Sequence, residues 1–380
     1  MKLRRFYTAG EVDDGKSTLI GRLFLDAGLI YQDQLSTIDG NLAHFTDGLR
    51  EERAKGITMD VAYRFFETRT HKFIVADAPG HLQFIRHMVT AASLADAAVI
   101  LVDANRGVST QTKRHAWIAQ WLGIKSVAFV INKMDRIQYS QESYQKIKNQ
   151  LTHFQGATFI PASALKGDNI FHPSQEMTWY QGPSLMTWLQ SLPDPFENAS
   201  LRFSIQGVLA DGSVTGKLIA GLLKPKAKLQ SPNGPTIVEE IHQHPHLKSQ
   251  AVAGESLRLK LSGAQQKRGD VLYEDELPSS HTWNAEWLFF EKSTAPLIAR
   301  TYTWESAVTE LEVDQTWNWE EQNWGGSNDQ EFPSLQNGKI HFERMLFSDP
   351  FLHGTNMGQM VLIDSVTGKT VAAVLLRQGL

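Results

Sequence analysis

The sequence predicts an α/β domain, with a mostly parallel sheet and helices on both faces, followed by two small all-β barrels. Three observations predict it. Apolar runs of strand length alternate with longer helical patterns as far as about residue 195. The polar motifs fall where those runs end. Beyond residue 195 the helical spacing gives way to short alternating runs broken by turn residues,.

Leu3–Ala9, Lys72–Asp77, Ala97–Asp103, Ser126–Asn132 and Thr158–Ser163 are the strand candidates, and Ser17–Ala27, Phe84–Leu94, Thr110–Leu122 and Gln141–Leu151 carry helical spacing. Such a sheet binds ligands at the C-terminal ends of its strands. Pro193-Asp-Pro195 removes two backbone donors and disfavours helix before each proline, which marks a linker after a domain of residues 1–195,. From Leu201 to Tyr273 the alternating runs are broken at Asp211-Gly212, Pro232-Asn-Gly234-Pro235 and Gly269-Asp270, as in a small barrel over 196–278,. A second, divergent barrel is expected over 279–380, ending in a hairpin of Gln359–Asp364 and Thr370–Leu376 around Thr367-Gly368-Lys369.

With 42% hydrophobic and 21% charged residues in 380, the chain falls among folded globular proteins,. Lys plus Arg number 37 against 41 Asp plus Glu, so no net basic field gathers nucleic acid,. Cysteine is absent, which excludes disulfides, thiolate zinc sites and a cysteine nucleophile; a metal must bind through oxygen or nitrogen,. The basic start of the chain meets Glu11, Asp13 and Asp14 instead of a small-residue cleavage site and reads as a first strand,. No run approaches the ~18 apolar residues of a spanning helix. A cytoplasmic location is expected.

Gly10-Glu11-Val12-Asp13-Asp14-Gly15-Lys16-Ser17 fits G-x-x-x-x-G-K-[ST], between a strand candidate and a helix candidate that continues with Thr18. In that setting backbone N–H groups close around phosphates, Lys16 reaches the outer ones, and the helix N-terminus adds its positive dipole end. Ser17 is the expected Mg²⁺ ligand. Gly368-Lys369-Thr370 lacks the first glycine, where Ile363 stands, and lies between two strand candidates, so one nucleoside-triphosphate site is expected and a fused kinase is not.

Asp77-Ala78-Pro79-Gly80-His81 ends a strand, where a carboxylate can hold an Mg²⁺-bound water and the Gly80 N–H can face the γ-phosphate,. His81 then stands where an attacking water must be oriented. Upstream, Thr58 in Arg53-Ala-Lys-Gly56-Ile-Thr58 is placed to ligate Mg²⁺ and sense the γ-phosphate,. The expected catalytic set is Lys16, Thr58, Gly80 and His81, with metal ligands Ser17, Thr58 and, through water, Asp77.

Asn132-Lys133-Met134-Asp135 closes another strand. A carboxylate at Asp135 accepts from the ring N1–H and the 2-amino group of guanine; adenine leaves it unpaired, a loss worth roughly 10⁴-fold in discrimination. Asn132 orients this loop, Lys133 lays its alkyl stem along the base, and Ser163-Ala164-Leu165 offers backbone N–H groups to the guanine carbonyl. GTP and GDP are the expected ligands.

These motifs, with barrel-like segments behind them, resemble the translation-factor class of P-loop GTPases, and within it the GTPase subunit of bacterial sulfate adenylyltransferase. The stretches that carry the resemblance are Val12–Arg22, Ile30–Leu35, Gly56–Arg64, Gly167–Ile170 and Trp179-Tyr180, with paired aspartates before Gly15. The resemblance implies a separate catalytic, adenylyl-transferring subunit that makes adenylyl sulfate and pyrophosphate from ATP and sulfate, driven by GTP hydrolysis here. By analogy with related GTPases it also implies a monovalent cation near Asp13. An RNA-delivering GTPase and a repurposed paralogue with a regulatory or scaffold role are the alternatives. Glu11 stands where the family has a small residue and adds negative charge beside the phosphates.

Six of the ten tryptophans fall between Trp283 and Trp324, a pattern that suits the core of a small barrel or a docking face,. His242-Gln-His244-Pro-His246 reads as an exposed loop, since proline interrupts the alternation a metal site would need,.

Overall fold

In the computed structural model the chain divides into two compact units, Met1–Pro193 and Asp194–Leu380. The structure describes residues 1–29, 61–79, 84–193, 200–319, 321–325, 332–352 and 357–378.

The described elements of the first unit are β1 (Lys2–Ala9), α1 (Lys16–Asp26), β2 (Ala62–Glu67), β3 (His71–Asp77), α2 (Ile85–Ser93), β4 (Ala97–Asp103), α3 (Thr110–Trp121), β5 (Ser126–Asn132), α4 (Gln141–Asn149), β6 (Thr158–Pro161) and α5 (Leu185–Gln190). Six strands form one sheet in the order β2-β3-β1-β4-β5-β6. β2 runs antiparallel to β3 and the other pairings are parallel. All seven residues of β4 are buried, as a central strand covered on both faces requires,. Register then aligns the motifs: Thr8 lies opposite Asp77, Asp103 opposite Asn132, and Ile131 opposite Pro161. One edge of the sheet therefore collects every described motif loop.

The helices differ in how their first N–H groups are satisfied. Ser109 caps α3 in a reciprocal box with Thr112, Ser140 caps α4, and Ser184 caps α5,. At α1 the cap position is Gly15, whose left-handed backbone brings no side-chain hydrogen bond. The N-terminal donors of α1 are thus left for something other than a cap. Strand β2 and helix α5 were not among the expected elements; both are short, and although burial alternates along β2, apolar Tyr63 and Phe65 on its exposed face hide that alternation in the sequence.

The second unit holds two antiparallel barrels. The first contains β7 (Arg202–Val208), β8 (Val214–Ala220), β9 (Leu222–Leu223), β10 (Lys228–Leu229), β11 (Thr236–Gln243), β12 (His246–Lys248), β13 (Ala251–Val252), β14 (Ser256–Gly263) and β15 (Val271–Tyr273). Its main sheet runs β10-β11-β14-β8-β7-β15. A bridge between Gln230 and Tyr273, with N–H···O distances of 2.7 and 3.0 Å, closes it. Phe203, Leu218, Val238, Ile241 and Leu259 fill the interior.

The other barrel contains β16 (Ser279–Phe289), β17 (Leu297–Arg300), β18 (Glu305–Asn318), β19 (Asn323–Gly325), β20 (Ser334–Phe347), β21 (Gln359–Asp364) and β22 (Thr370–Leu376). The order β17-β21-β22-β16-β20-β18 closes through a β17–β18 pairing. The expected final hairpin is β21–β22, with the Asp364 carboxylate accepting the Val366 and Thr367 N–H groups at its turn. Trp283, Trp287 and Trp317 are buried, and Trp304, Trp319 and Trp324 half-buried. The tryptophans thus serve mainly as core: Trp304 packs edge-on to Phe342 and Trp317 edge-on to Trp324. His242, His244 and His246 belong to the β11–β12 hairpin, where His242 meets Glu240 at 2.8 Å.

Trp287 is fully buried, and its indole N–H donates to Gln336 at 2.9 Å. Trp287→Ala is expected to lower unfolding free energy by about 3–5 kcal/mol through the cavity and the orphaned carbonyl. Urea unfolding measures it, with Val366→Ala, at an exposed position, expected to stay within about 0.5 kcal/mol of the parent,.

Candidate functional site

The loop between β1 and α1 is shaped by backbone that only certain residues tolerate. Gly10 has φ +150°, and a Cβ there would sit 3.0 Å from the Leu101 carbonyl oxygen. Gly15 has φ +97°, and a Cβ there would lie 2.5 Å from the Asn132 amide nitrogen. Both glycines are steric necessities of this loop. Asp13 has φ 68°. The Asp14 carboxylate accepts the Glu11 N–H at 2.7 Å and folds the loop back on itself.

Lys16 is buried, and its ammonium donates to the carbonyls of Gly10 and Glu11, each at 2.9 Å. Burial lowers the Lys16 pKa, against the pull of Asp77 and Asp14,. Burial raises Asp14 to about 6, with the Glu11 N–H and Lys16 opposing the shift. Asp77, at the end of β3, is 1% exposed and accepts the Thr8 hydroxyl at 3.2 Å. Ala78 is buried beside it, followed by Pro79. Thr58, Gly80 and His81 lie outside the described residues. His115 on α3 is buried, and burial together with the Lys16 charge pulls it down to about 3, so it stays neutral at physiological pH.

The second half of the site is organised by Asn132. Its amide nitrogen donates to the Asp14 carbonyl at 2.8 Å, and its amide oxygen accepts the Ala164 N–H at 2.9 Å. One carboxamide thereby ties the loops after β1, β5 and β6 together. Lys133 adopts φ 64°, and its ammonium donates to the Asp13 carbonyl and to Asp103, the latter at 2.7 Å. Met134 is fully buried and its N–H donates to Ala162, which fixes the direction in which Asp135 leaves the strand. The Asp135 carboxylate accepts the Ser163 hydroxyl at 2.6 Å.

Of the three N–H groups expected to meet a base carbonyl, Ser163 donates to Asp168 at 3.2 Å and Ala164 to Asn132. Leu165, half-exposed, keeps its N–H uncommitted among the described residues. The carbonyls of Ala164 and Leu165 accept from Arg22 of α1, the former at 3.2 Å. Asp168 in turn accepts the hydroxyls of Tyr139 and Ser174 at 3.0 and 2.8 Å. Arg22, Asp103 and Arg106 organise these loops and were not singled out from sequence. Only a carboxylate at the last position of a buried strand, as at Asp103, could have signalled one of them.

The oxygen donors Ser17 and Asp77 suit a hard divalent cation, and the absence of cysteine removes any thiolate competitor,. A cavity of about 470 Å³ in the second unit involves Lys217, Arg268 and Tyr302 and none of the motif residues. Among the described residues no helix is long and apolar enough to cross a membrane.

The sheet order, glycine loop and Asn-Lys-x-Asp strand end define a P-loop protein of the guanine-nucleotide type. Residues 1–244 match the family model described as elongation factor Tu GTP binding domain. The chain is 35% identical to sulfate adenylyltransferase subunit 1 of Aliarcobacter butzleri, over 99% of this chain and 87% of that protein. It is 36% identical to sulfate adenylyltransferase subunit 1 of Photorhabdus laumondii, over 99% and 85%. The fold is similar to that of the S. cerevisiae Ski7 GTPase-like domain bound to GTP, with a TM-score of 0.51, 15% identity and coverage of 100% and 98%. The chain belongs to the sulfate adenylyltransferase subunit 1 family, within the translation-factor class of GTPases.

The raised Asp14 pKa has a stability signature. A carboxyl that holds its proton more tightly folded than unfolded stabilises the fold at low pH, and that contribution is lost as pH rises from about 4 to about 6,. In nucleotide-free protein, unfolding free energy of the parent relative to Asp14→Asn is expected to fall by about 2–3 kcal/mol across that window. Urea titrations at pH 4, 5, 6 and 7 measure it; parallel curves for the two proteins would exclude the effect.

Proposed function

We propose that the chain binds and hydrolyses GTP as the GTPase subunit of a cytoplasmic sulfate adenylyltransferase. Its hydrolysis drives a partner subunit that converts ATP and sulfate to adenylyl sulfate and pyrophosphate. The observation that carries the nucleotide reading is the Asn132 carboxamide joining the phosphate loop to the two base loops. The sulfate assignment rests on relatives that match across the whole chain.

Binding follows from the donors described above. Phosphate oxygens take N–H groups of the loop 10–18 other than those of Glu11 and Asp14, which bond within the loop, together with the uncapped start of α1, and Lys16 turns from the Gly10 and Glu11 carbonyls to the outer phosphates,. Asp135 takes the guanine N1–H and 2-amino group, Lys133 covers one face of the base, and the Leu165 N–H reaches the base carbonyl. Mg²⁺ held by Ser17, Thr58 and, through water, Asp77 would neutralise charge on the β- and γ-phosphates. His81 orients the attacking water, Gly80 donates to the γ-phosphate, and Lys16 stabilises the transferred group. Water adds at phosphorus as the bond to the β–γ bridging oxygen breaks, releasing GDP and phosphate. A monovalent cation at Asp13 would share that residue with Arg106 and Lys133. The rate in potassium against a bulky organic cation tests it.

Two measurements test the assignment. GTP turnover is expected to rise when the adenylyl-transferring subunit, ATP and sulfate are supplied together; stimulation by ribosomes instead would identify an RNA-delivering GTPase. Asp135→Ala is expected to bring GTP-over-ATP preference from roughly 10⁴-fold towards parity, read by competition against a fluorescent GTP analogue. Retained preference in that variant would remove Asp135 from base recognition.

A further inference from the structure

We infer that Asp103 and Arg106 are positioning residues of this site, holding the base loop against the phosphate loop and setting how long a guanine nucleotide stays bound. The inference rests on the nucleotide reading above. It starts from two non-glycine residues in left-handed backbone, Asp13 at φ 68° and Lys133 at φ 64°, on loops that face each other. Such conformations persist only where surrounding contacts enforce them. Here the Lys133 ammonium donates to the Asp13 carbonyl, so one hydrogen bond joins two strained positions.

Behind that contact stands Asp103, 4% exposed at the end of β4 and opposite Asn132 in register. Its carboxylate accepts the Lys133 ammonium at 2.7 Å and the Asn105 N–H at 2.8 Å, and lies 4.0 Å from the Arg106 guanidinium. Arg106 reaches the same loop one residue earlier. It donates to the Val12 carbonyl at 3.0 Å and approaches the Asp13 carboxylate at 3.7 Å. One buried carboxylate thus hydrogen-bonds one cation and lies beside a second, and the two cations grip consecutive carbonyls of the phosphate loop. Burial alone would raise the Asp103 pKa; the Lys133 ammonium and the Asn105 N–H outweigh it and hold the group below the usual carboxylate range.

The consequence concerns Lys133. Its stem covers the base only while its tip is tethered, and without Asp103 the side chain regains rotamers that binding must freeze out. The tether lies on the base side of the loop and serves GDP and GTP alike.

Asp103→Asn and Arg106→Ala, made in the full chain, test this by stopped-flow dissociation of fluorescent GDP and GTP analogues. For Asp103→Asn, dissociation of both nucleotides is expected to accelerate by about tenfold, from loss of a charge-assisted hydrogen bond. Turnover at saturating GTP is expected to stay within about twofold, while KM rises. Arg106→Ala, at a half-exposed side chain, is expected to accelerate release by about threefold and keeps the test alive should the Asp103 variant misfold,. Unchanged release in the folded variants, or a defect confined to GTP or to turnover, overturns the inference. Parent protein that binds neither nucleotide overturns the site reading itself, and this inference with it.

Discussion

A single side-chain amide holds the site together. Asn132 can donate to Asp14 and accept from Ala164 at once only because a carboxamide carries both a donor and an acceptor, a few ångströms from a loop stripped of side chain at Gly15,. Aspartate would lose the donor, and alanine would leave a buried N–H and a buried carbonyl without partners. The three loops it joins come from β1, β5 and β6; β5 and β6 pair directly, but β4 lies between them and β1. Their alignment is a property of the parallel register, and Asn132 converts that alignment into a fixed distance between the phosphate loop and the base-recognition loops.

Most of the first unit was legible in the sequence because central parallel strands are apolar throughout and their ends are polar. Ala97–Asp103 and Ser126–Asn132 were expected at the ends the structure gives them. Helix α4 stops two residues short of the expected Leu151, where the chain tightens into Gln150 and Leu151 N–H bonds to Ile147 and Lys148. The strand expected to reach Ser163 ends at Pro161; Ala162 still donates to Ile131, but Ser163 turns to donate to Asp168 and Ala164 to Asn132. The long strands β18 and β20 were not legible, since bulges at Val308/Glu310 and Val313/Gln315 shift the alternation that would reveal them,.

Within the site, motif residues were legible because phosphate and guanine impose fixed spacing over a few positions. Asp103, Arg106 and Arg22 were not, because their partners are tens of residues away and only the sheet brings them near. The expectation that Ser163 and Ala164 both face a base with free N–H groups met the same limit. Asn132 and Asp168 take those donors, and that competition is tertiary.

The closure of the two barrels bears on assembly. Among the described residues the strands of each closing path have a neighbour on both sides, the last gap in one being sealed by Gln230 and Tyr273 and in the other by β17 with β18, while β9, β12, β13 and β19 pair on one side alone. A ring without free edges gives another polypeptide no row of backbone donors and acceptors to extend. Recognition on the closed part of these rings must therefore be written in side chains and turns, over a hydrogen-bonded frame whose own donors and acceptors are already spent.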